Sequence, residues 1–314
     1  MYRYILRRIG FLLMTFVVTS LLVFVVTQFL PGDVARVILG REAGEEALQA
    51  LREELGLNEP LPVQYFNWLG NFITGDWGRS FSTRSEIRPL VMGRVRNSLM
   101  LASITLLISV PLAIVLGVIA GLKENKLADN LISITSLSVV GLPEFVTGLV
   151  LIEIFAFKLK LLPANSSIRT NASFADALPM LILPAITATL VLLAYIARLT
   201  RAGVVEELKQ PYVRTAELKG LPRRTVIVKH VLRNALMPTI TIIAISFGWL
   251  ISGLIVIENV FNYPGLGRLL VFAIDRRDLP LLQAVTLVTV LGFAVANLIA
   301  DLLYAYLNPR IRLG

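Results

Sequence analysis

Carboxylates inside long apolar runs are the residues of this chain whose position most needs a reason. Glu144 and Glu153 interrupt the run from Leu131 to Phe157, while Asn297 and Asp301 interrupt the run from Leu281 to Leu307. An ionised carboxylate at the centre of a bilayer costs about 2.5–3.5 kcal/mol on insertion scales, so each is expected against a cavity or a partner helix. In a cavity, Glu144 or Glu153 would attract an amino group or a metal cation, and Asn297 with Asp301 would line the same pathway. The mechanical alternative is that Pro143 kinks its run and Glu144 satisfies the freed backbone or lies near the interface. Bond-making chemistry has no comparable set. There is no cysteine and His230 is the single histidine, so neither a catalytic triad nor a zinc or haem ligand set can be assembled. No G-x-x-x-x-G-K-[ST] occurs, so ATP hydrolysis would fall to another chain.

The elements that must hold these residues follow from composition. With 56% hydrophobic and 16% charged residues among 314, and a mean hydropathy of +0.75, the chain is too apolar for a soluble globule. Its apolar residues come in blocks long enough to cross about 30 Å of hydrocarbon. The blocks are Ile9–Leu30, Ser98–Leu122, Leu131–Phe157, Leu178–Thr200, Pro238–Ile257 and Leu281–Leu307. All six are expected as helices, because lipid offers no partner to an unpaired backbone. The first follows Arg3, Arg7 and Arg8 as a signal peptide would, yet it is long and reaches Pro31-Gly32-Asp33 without a small-x-small cleavage site, so it is expected to stay as an anchor.

Six spans put both termini on one side of the membrane. Taking that side as cytoplasmic collects sixteen Lys and Arg residues: Arg3, Arg7, Arg8, Lys123, Lys126, nine between Arg198 and Arg233, Arg310 and Arg312. The short opposite loops hold six, and the remaining eight lie between Arg36 and Arg96, in a loop too long for charge to orient it. The net charge of +9 is thus a topology signal rather than a nucleic-acid footprint, since it lacks aromatic interleaving. The expected organisation is a tail and first span over 1–30, an external folded loop over 31–97, a transmembrane core over 98–307 and a tail over 308–314. Within the external loop, Leu48, Leu51 and Leu55 predict a helix from Glu45 to Leu55 that stops at Gly56, and a second is predicted from Pro62 to Ile73.

The polar insertion from Ala202 to Leu236 reads as helix, turn, helix. Tyr212, Val213 and Ala216 share one face of the first piece, and Gly220 with Pro222 ends it. In the second piece, Ile227, Val231 and Ala235 run beside Val228, Leu232 and Leu236, opposite Arg224, Lys229 and Arg233. Periodicity alone leaves two readings: an amphipathic hairpin lying on anionic lipid, or a surface for a protein partner. Between the last two spans, Pro264-Gly265 makes a tight turn and Gly267 keeps the backbone close to its neighbours.

The chain resembles the dipeptide, oligopeptide and nickel permease family of ABC importers, over essentially its whole length. The resemblance rests on Tyr4-Ile5-Leu6-Arg7-Arg8, Pro31-Gly32-Asp33, LGLNEPLPVQYFNWLGNFITGDWGRSF, Leu162-Pro163, Leu183-Pro184, the R-T-A-x-x-K-G of Arg214 to Gly220, and ENVFNYPGLGRLLVFAIDRRDLPLLQA from Glu258 to Ala284. Two positions depart from the general loop signature, with Arg214 where a glutamate is common and Arg233 where a proline is. The long first external loop resembles the first, or B-type, of the two permeases that such systems carry.

The resemblance implies an all-α, six-span, type I importer architecture in a bacterial or archaeal cytoplasmic membrane. It makes Tyr212, Arg214, Thr215, Ala216, Glu217, Lys219 and Gly220 a coupling loop that docks on an ATPase. Its implied partners are a second related permease in a heterodimer, two ATPase subunits that bind ATP and Mg, an external substrate-binding protein and the lipid bilayer, with no nucleic acid and no cofactor in this chain. Phe261, Pro264, Gly265, Gly267 and Arg268 are then an outer gate or binding-protein contact, the alternative being a turn that merely packs. Peptides are the implied cargo, nickel chelates or another small solute the alternative, and an ion-coupled secondary transporter the rival class.

Overall fold

The computed structural model describes residues 2–29, 36, 39, 43–54, 56–168 and 174–307. The turn at Pro31-Gly32-Asp33 and the tail from Asn308 lie outside them. Among the described residues the fold is helical, and the one strand-like pairing is an antiparallel bridge between Arg79 and Glu86. Four helices are long and apolar enough to cross a membrane, at Ile5–Gln28, Ile87–Leu122, Ala177–Leu208 and Leu279–Leu302. Two bent pairs bring the total to six if each is one span.

The chain forms two compact units, one from Met1–Asn97 with Gly265–Ala294 and the other from Ser98–Pro264 with Val295–Gly314. The stretch 98–307, expected as a single core, therefore contributes to both. In the first unit, α1 (Tyr2–Phe29) packs against α3 (Leu61–Thr74) through Phe24, Tyr65 and Trp68, and Tyr65 shares a 2.8 Å hydrogen bond with Ser20. Ahead of α3 lies α2 (Glu45–Glu54), with Leu48 buried and Gly56 at φ +65° supplying the expected stop. The helix α4 (Ile87–Leu122) begins eleven residues before the apolar block because Ile87 and Val91 are fully buried in this unit's core. The short α12 (Leu266–Asp275) adds Leu266, Leu269 and Ala273 to the same core. The last helix, α13 (Leu279–Leu307), starts on Asp278, which is buried and accepts Ser80 Oγ at 2.5 Å, the Ser82 N–H at 3.0 Å and the Leu281 N–H at 3.3 Å. That carboxylate clasps the segment ahead of α4 to the start of the last helix.

In the second unit the third span is not one rod. Helix α5 (Leu127–Gly141) and helix α6 (Glu144–Lys158) meet at 102°. Pro143 disfavours the helical conformation at the residue before it, and Leu142 is accordingly extended at φ −92°, ψ 134°. The last six residues of α6, Glu153–Lys158, form a π-helix. Helix α7 (Phe174–Leu208) follows, then α8 (Pro211–Leu218) and α9 (Arg223–Ala235), which joins α10 (Met237–Gly253) at a 49° bend before Pro238. A final short helix, α11 (Ile255–Val260), ends this run.

Candidate functional site

The polar insertion is built on a span that does not end where its apolar run does. Helix α7 continues past Thr200 to Leu208, so the first turns of the insertion are a rigid extension of the fourth span. Pro211 opens α8 at a position where its missing N–H is no loss. Gly220 ends it at φ +75°, with the Gly220 N–H on the Glu217 carbonyl at 2.9 Å and the Leu221 N–H on the Ala216 carbonyl at 3.3 Å. These are the paired bonds of a glycine C-cap, and Pro222 then begins the next helix. The element between the caps is eight residues long.

Its inner face is apolar. Val213 is 3% and Ala216 7% exposed, packed with Val204, Val226, Val231 and Ala235. The stripe expected on α9 was Ile227, Val231 and Ala235 beside Val228; instead Val226 is buried and Val228 is 56% exposed. The cause is a π-helical stretch over Val226–Val231. Its i to i+5 bonding brings Val226 above Val231 and turns Val228 outward. Tyr212, expected on the buried face, stands at its edge. Its hydroxyl donates to Glu207 and accepts Asn234 Nδ2 at 3.1 Å, which ties α8 to both flanking helices. Burial first, and then the Glu207 carboxylate, push its phenol above its ordinary pKa.

Close backbone contacts connect this base to the spans. A Cβ on Gly203 would lie 2.4 Å from the Ala235 carbonyl oxygen, so α7 and α9 touch main chain to main chain. On α4, a Cβ on Gly117 would lie 2.5 Å from Thr200 Cβ, and one on Gly121 would lie 2.7 Å from Val204. Beside this crossing Asp129, at the start of α5, is 1% exposed. It receives Arg201 Nε at 2.5 Å and Nη2 at 2.7 Å, the Asn125 N–H at 2.8 Å and Ser133 Oγ at 3.2 Å. The bidentate fork fixes α5 to α7 in one geometry. Sequence reading missed this pair, because the two residues are 72 apart and neither lies within an apolar block. The exposed Lys209–Glu124 pair at 3.2 Å adds little by comparison.

The outer face is left open. Arg214, Thr215, Glu217, Lys219 and Gly220 are exposed, and Leu218 is 81% exposed at the end of the helix. Leu218 was not among the residues expected to act. Its signal was available: a leucine opposite the Val213–Ala216 face has no reason in the monomer. The arrangement has no group poised for bond making. It presents a short capped helix, charged at its sides and apolar at its tip, on a base that cannot slide.

The other candidates separate. Glu144 takes the first position of α6, half-buried, where the helix N-terminus favours a carboxylate. Glu153 is exposed and pairs with Lys158 at 3.8 Å, so its environment is not a closed cavity. Asn297 and Asp301 are half-buried. Phe261 and Tyr263 are fully buried, and Pro264, Gly265 and Gly267 are buried as well. Phe261 rests on Gly148, where a Cβ would lie 3.2 Å from its ring, and its carbonyl accepts the Ser166 N–H at 2.8 Å. Asn262 is exposed and Arg268 half-buried.

Four helices long and apolar enough to cross a membrane, with two bent pairs that bring the total to six if each is one span, define a polytopic membrane protein. The particular family is fixed by comparison. Residues 113–313 match the family model for the binding-protein-dependent transport system inner membrane component, and residues 1–116 match the one for the N-terminal part of the same membrane component. The chain is similar to the glutathione transport system permease protein GsiC of Escherichia coli strain K12, at 38% identity over 312 residues and 99% of both chains. It is equally similar to GsiC of Shigella dysenteriae serotype 1, and 37% identical to that of Shigella boydii serotype 4, again over 99% of both chains. The chain belongs to the family of binding-protein-dependent transport system inner membrane components, the permease subunits of ABC importers.

Proposed function

We propose that this permease imports peptides and that α8 with its C-terminal cap, Thr215 to Gly220, is where cognate ATPase subunits push on it, through the exposed Thr215, Glu217, Leu218, Lys219 and Gly220. The observation that carries the reading is a capped, exposed helix standing on a buried apolar base. Movement of such a knob reaches α7, α9 and α10 without unfolding the connection. Arg201 and Gly203 pass the displacement on to α5 and α9. The knob and both termini face the cytoplasm, as the excess of Lys and Arg on that side supports. The chain makes no bonds; ATP and Mg are handled by two ATPase subunits. A second, related permease completes the transmembrane pathway, and an external binding protein delivers the cargo. Small peptides are favoured because the curated relatives are named for glutathione transport.

Two experiments test this. Gly220→Pro cannot adopt the positive φ found there, so it should abolish copurification of the ATPase while membrane insertion persists; unchanged association removes the coupling role. Mass spectrometry of ligand retained by the cognate binding protein should find a peptide. A nickel chelate or a sugar there would replace the cargo assigned.

A further inference from the structure

The first unit holds an open cavity of about 390 Å³ that the coupling reading does not use. It lies among the C-terminal end of α1, one face of α3, the turn after α3 and the start of α13. Its volume falls in the range of small-ligand sites, about 300–1,000 Å³. One wall is aromatic and stiff. Trp77 stacks on Phe72 with ring planes 7° apart and centroids 5.0 Å apart, and its Nε1–H is bonded to the Phe72 carbonyl at 2.9 Å, so the indole offers a fixed face. Trp68 stands beside it, held by Phe24 at 5.7 Å and Tyr65 at 6.2 Å.

The lining is also polar, and its polar groups divide into those already bonded and those still available. Gln283 Nε2 donates to Thr27 at 2.7 Å, and Gln64 Nε2 donates to the Glu59 carbonyl at 2.7 Å, so these amides hold the lining together. Asn67 and Asn71 lie one helical turn apart on α3, and neither side-chain amide has a partner among the described residues. Asp76 follows in the turn. Its Oδ1 accepts the Gly78 N–H at 3.2 Å, and among the described residues it makes no ion pair. Among the described residues no Lys, Arg or His lines the cavity, and Asp76 is the one charged group of its lining. Arg88 packs against the Cα of Gly75 and is not part of the lining.

We infer that this cavity is a binding site for a small organic ammonium ligand with an apolar body. The ammonium group sits on Asp76, the two asparagine amides take neighbouring polar atoms, and the apolar body lies against Trp68 and Trp77. A carboxylate beside aromatic faces favours such a cation twice, by charge and by the ring quadrupole. An anion would meet Asp76 without compensation. The site is separate from the coupling helix, so its test stands or falls independently.

Two of the chain's three tryptophans line the cavity, which gives a direct readout. Full-length protein in lipid nanodiscs, carrying Trp249→Phe so that Trp68 and Trp77 alone emit, is titrated with L-phenylalaninamide at about pH 6, where its α-amino group is protonated. Saturable change in emission is expected. The neutral counterpart 3-phenylpropanamide should bind at least tenfold more weakly, and Asp76→Asn should weaken phenylalaninamide at least tenfold while Asp76→Glu keeps most of the affinity. Thermal melts of the variants establish that they fold. A linear, unsaturable response in folded protein overturns the site. Equal binding of the charged and neutral probes, or full affinity in folded Asp76→Asn, overturns the role of Asp76 and with it the ligand class.

Discussion

Truncating Leu218 to alanine separates a docking knob from a surface helix more sharply than any charge reversal. The side chain is 81% exposed, so the free permease loses almost nothing when it is shortened. Alanine is also the better helix former, which removes propensity as a confounding loss. If the tip is buried on the ATPase, the change deletes three carbons, each about 0.8 kcal/mol when transferred from water. Scaled by the four-fifths of the side chain now in contact with solvent, the loss is roughly 1.9 kcal/mol, or about 25-fold in Kd. The assay is a titration of nanodisc-embedded permease complex with purified ATPase subunit, read by interferometry, beside a thermal melt of the permease alone. An unchanged melt with Kd raised about 25-fold is expected. A Kd within about twofold of wild type, at an unchanged melt, would refute burial of the tip, since a buried leucine side chain loses about that transfer energy on truncation.

Other consequences follow from the contacts beneath the knob. Gly203→Ala drives a methyl to within 2.4 Å of the Ala235 carbonyl; overpacking of that kind costs about 1–3 kcal/mol, to be seen as a lower melting temperature of the permease. Arg201→Met leaves Asp129 buried without its cation, and breaking one side of a buried pair costs about 3–5 kcal/mol; loss of folded yield is expected, with substantial recovery in the double variant Asp129→Leu with Arg201→Met. Asp278→Ala leaves Ser80 and the Ser82 N–H without their acceptor, at about 1–3 kcal/mol for a buried orphan; limited proteolysis should then cut residues 79–86 faster while ATPase association stays at the wild-type level.

Local chemistry made the short elements legible and tertiary chemistry hid the long-range ones. Gly56, Gly220 and Pro222 marked helix ends within a residue or two because positive φ and a missing N–H act on the chain directly. Pro143 was visible as a kink, but the 102° turn required Leu142 to adopt the extended backbone as well. The π-helical stretch at Val226–Val231 could not be read from a 3.6-residue period, which is why the stripe through Val228 failed. Helix α4 is longer than its apolar block because Arg88, Arg94 and Arg96 interrupt the hydrophobic run, while Ile87 and Val91 beside them are core residues. The Asp129–Arg201 and Asp278–Ser80 contacts join residues 72 and 198 apart, and no local pattern records such a pairing. Leu218 carries a signal of its own in the sequence, an apolar side chain between the charged Glu217 and Lys219 on the outward side of the helix.

The most direct test of the coupling helix uses the absence of cysteine, which makes any introduced thiol unique in the chain. Glu217→Cys, exposed on the outer face of α8, is labelled with a short photo-activated cross-linker in the assembled transporter and illuminated with and without ATP; Asn262→Cys serves as the comparison site. The account predicts a permease–ATPase adduct from position 217 and none from 262. Adducts from position 217 confined to lipid, with the ATPase present and active, would contradict it and return α8 to a helix that lies on the membrane.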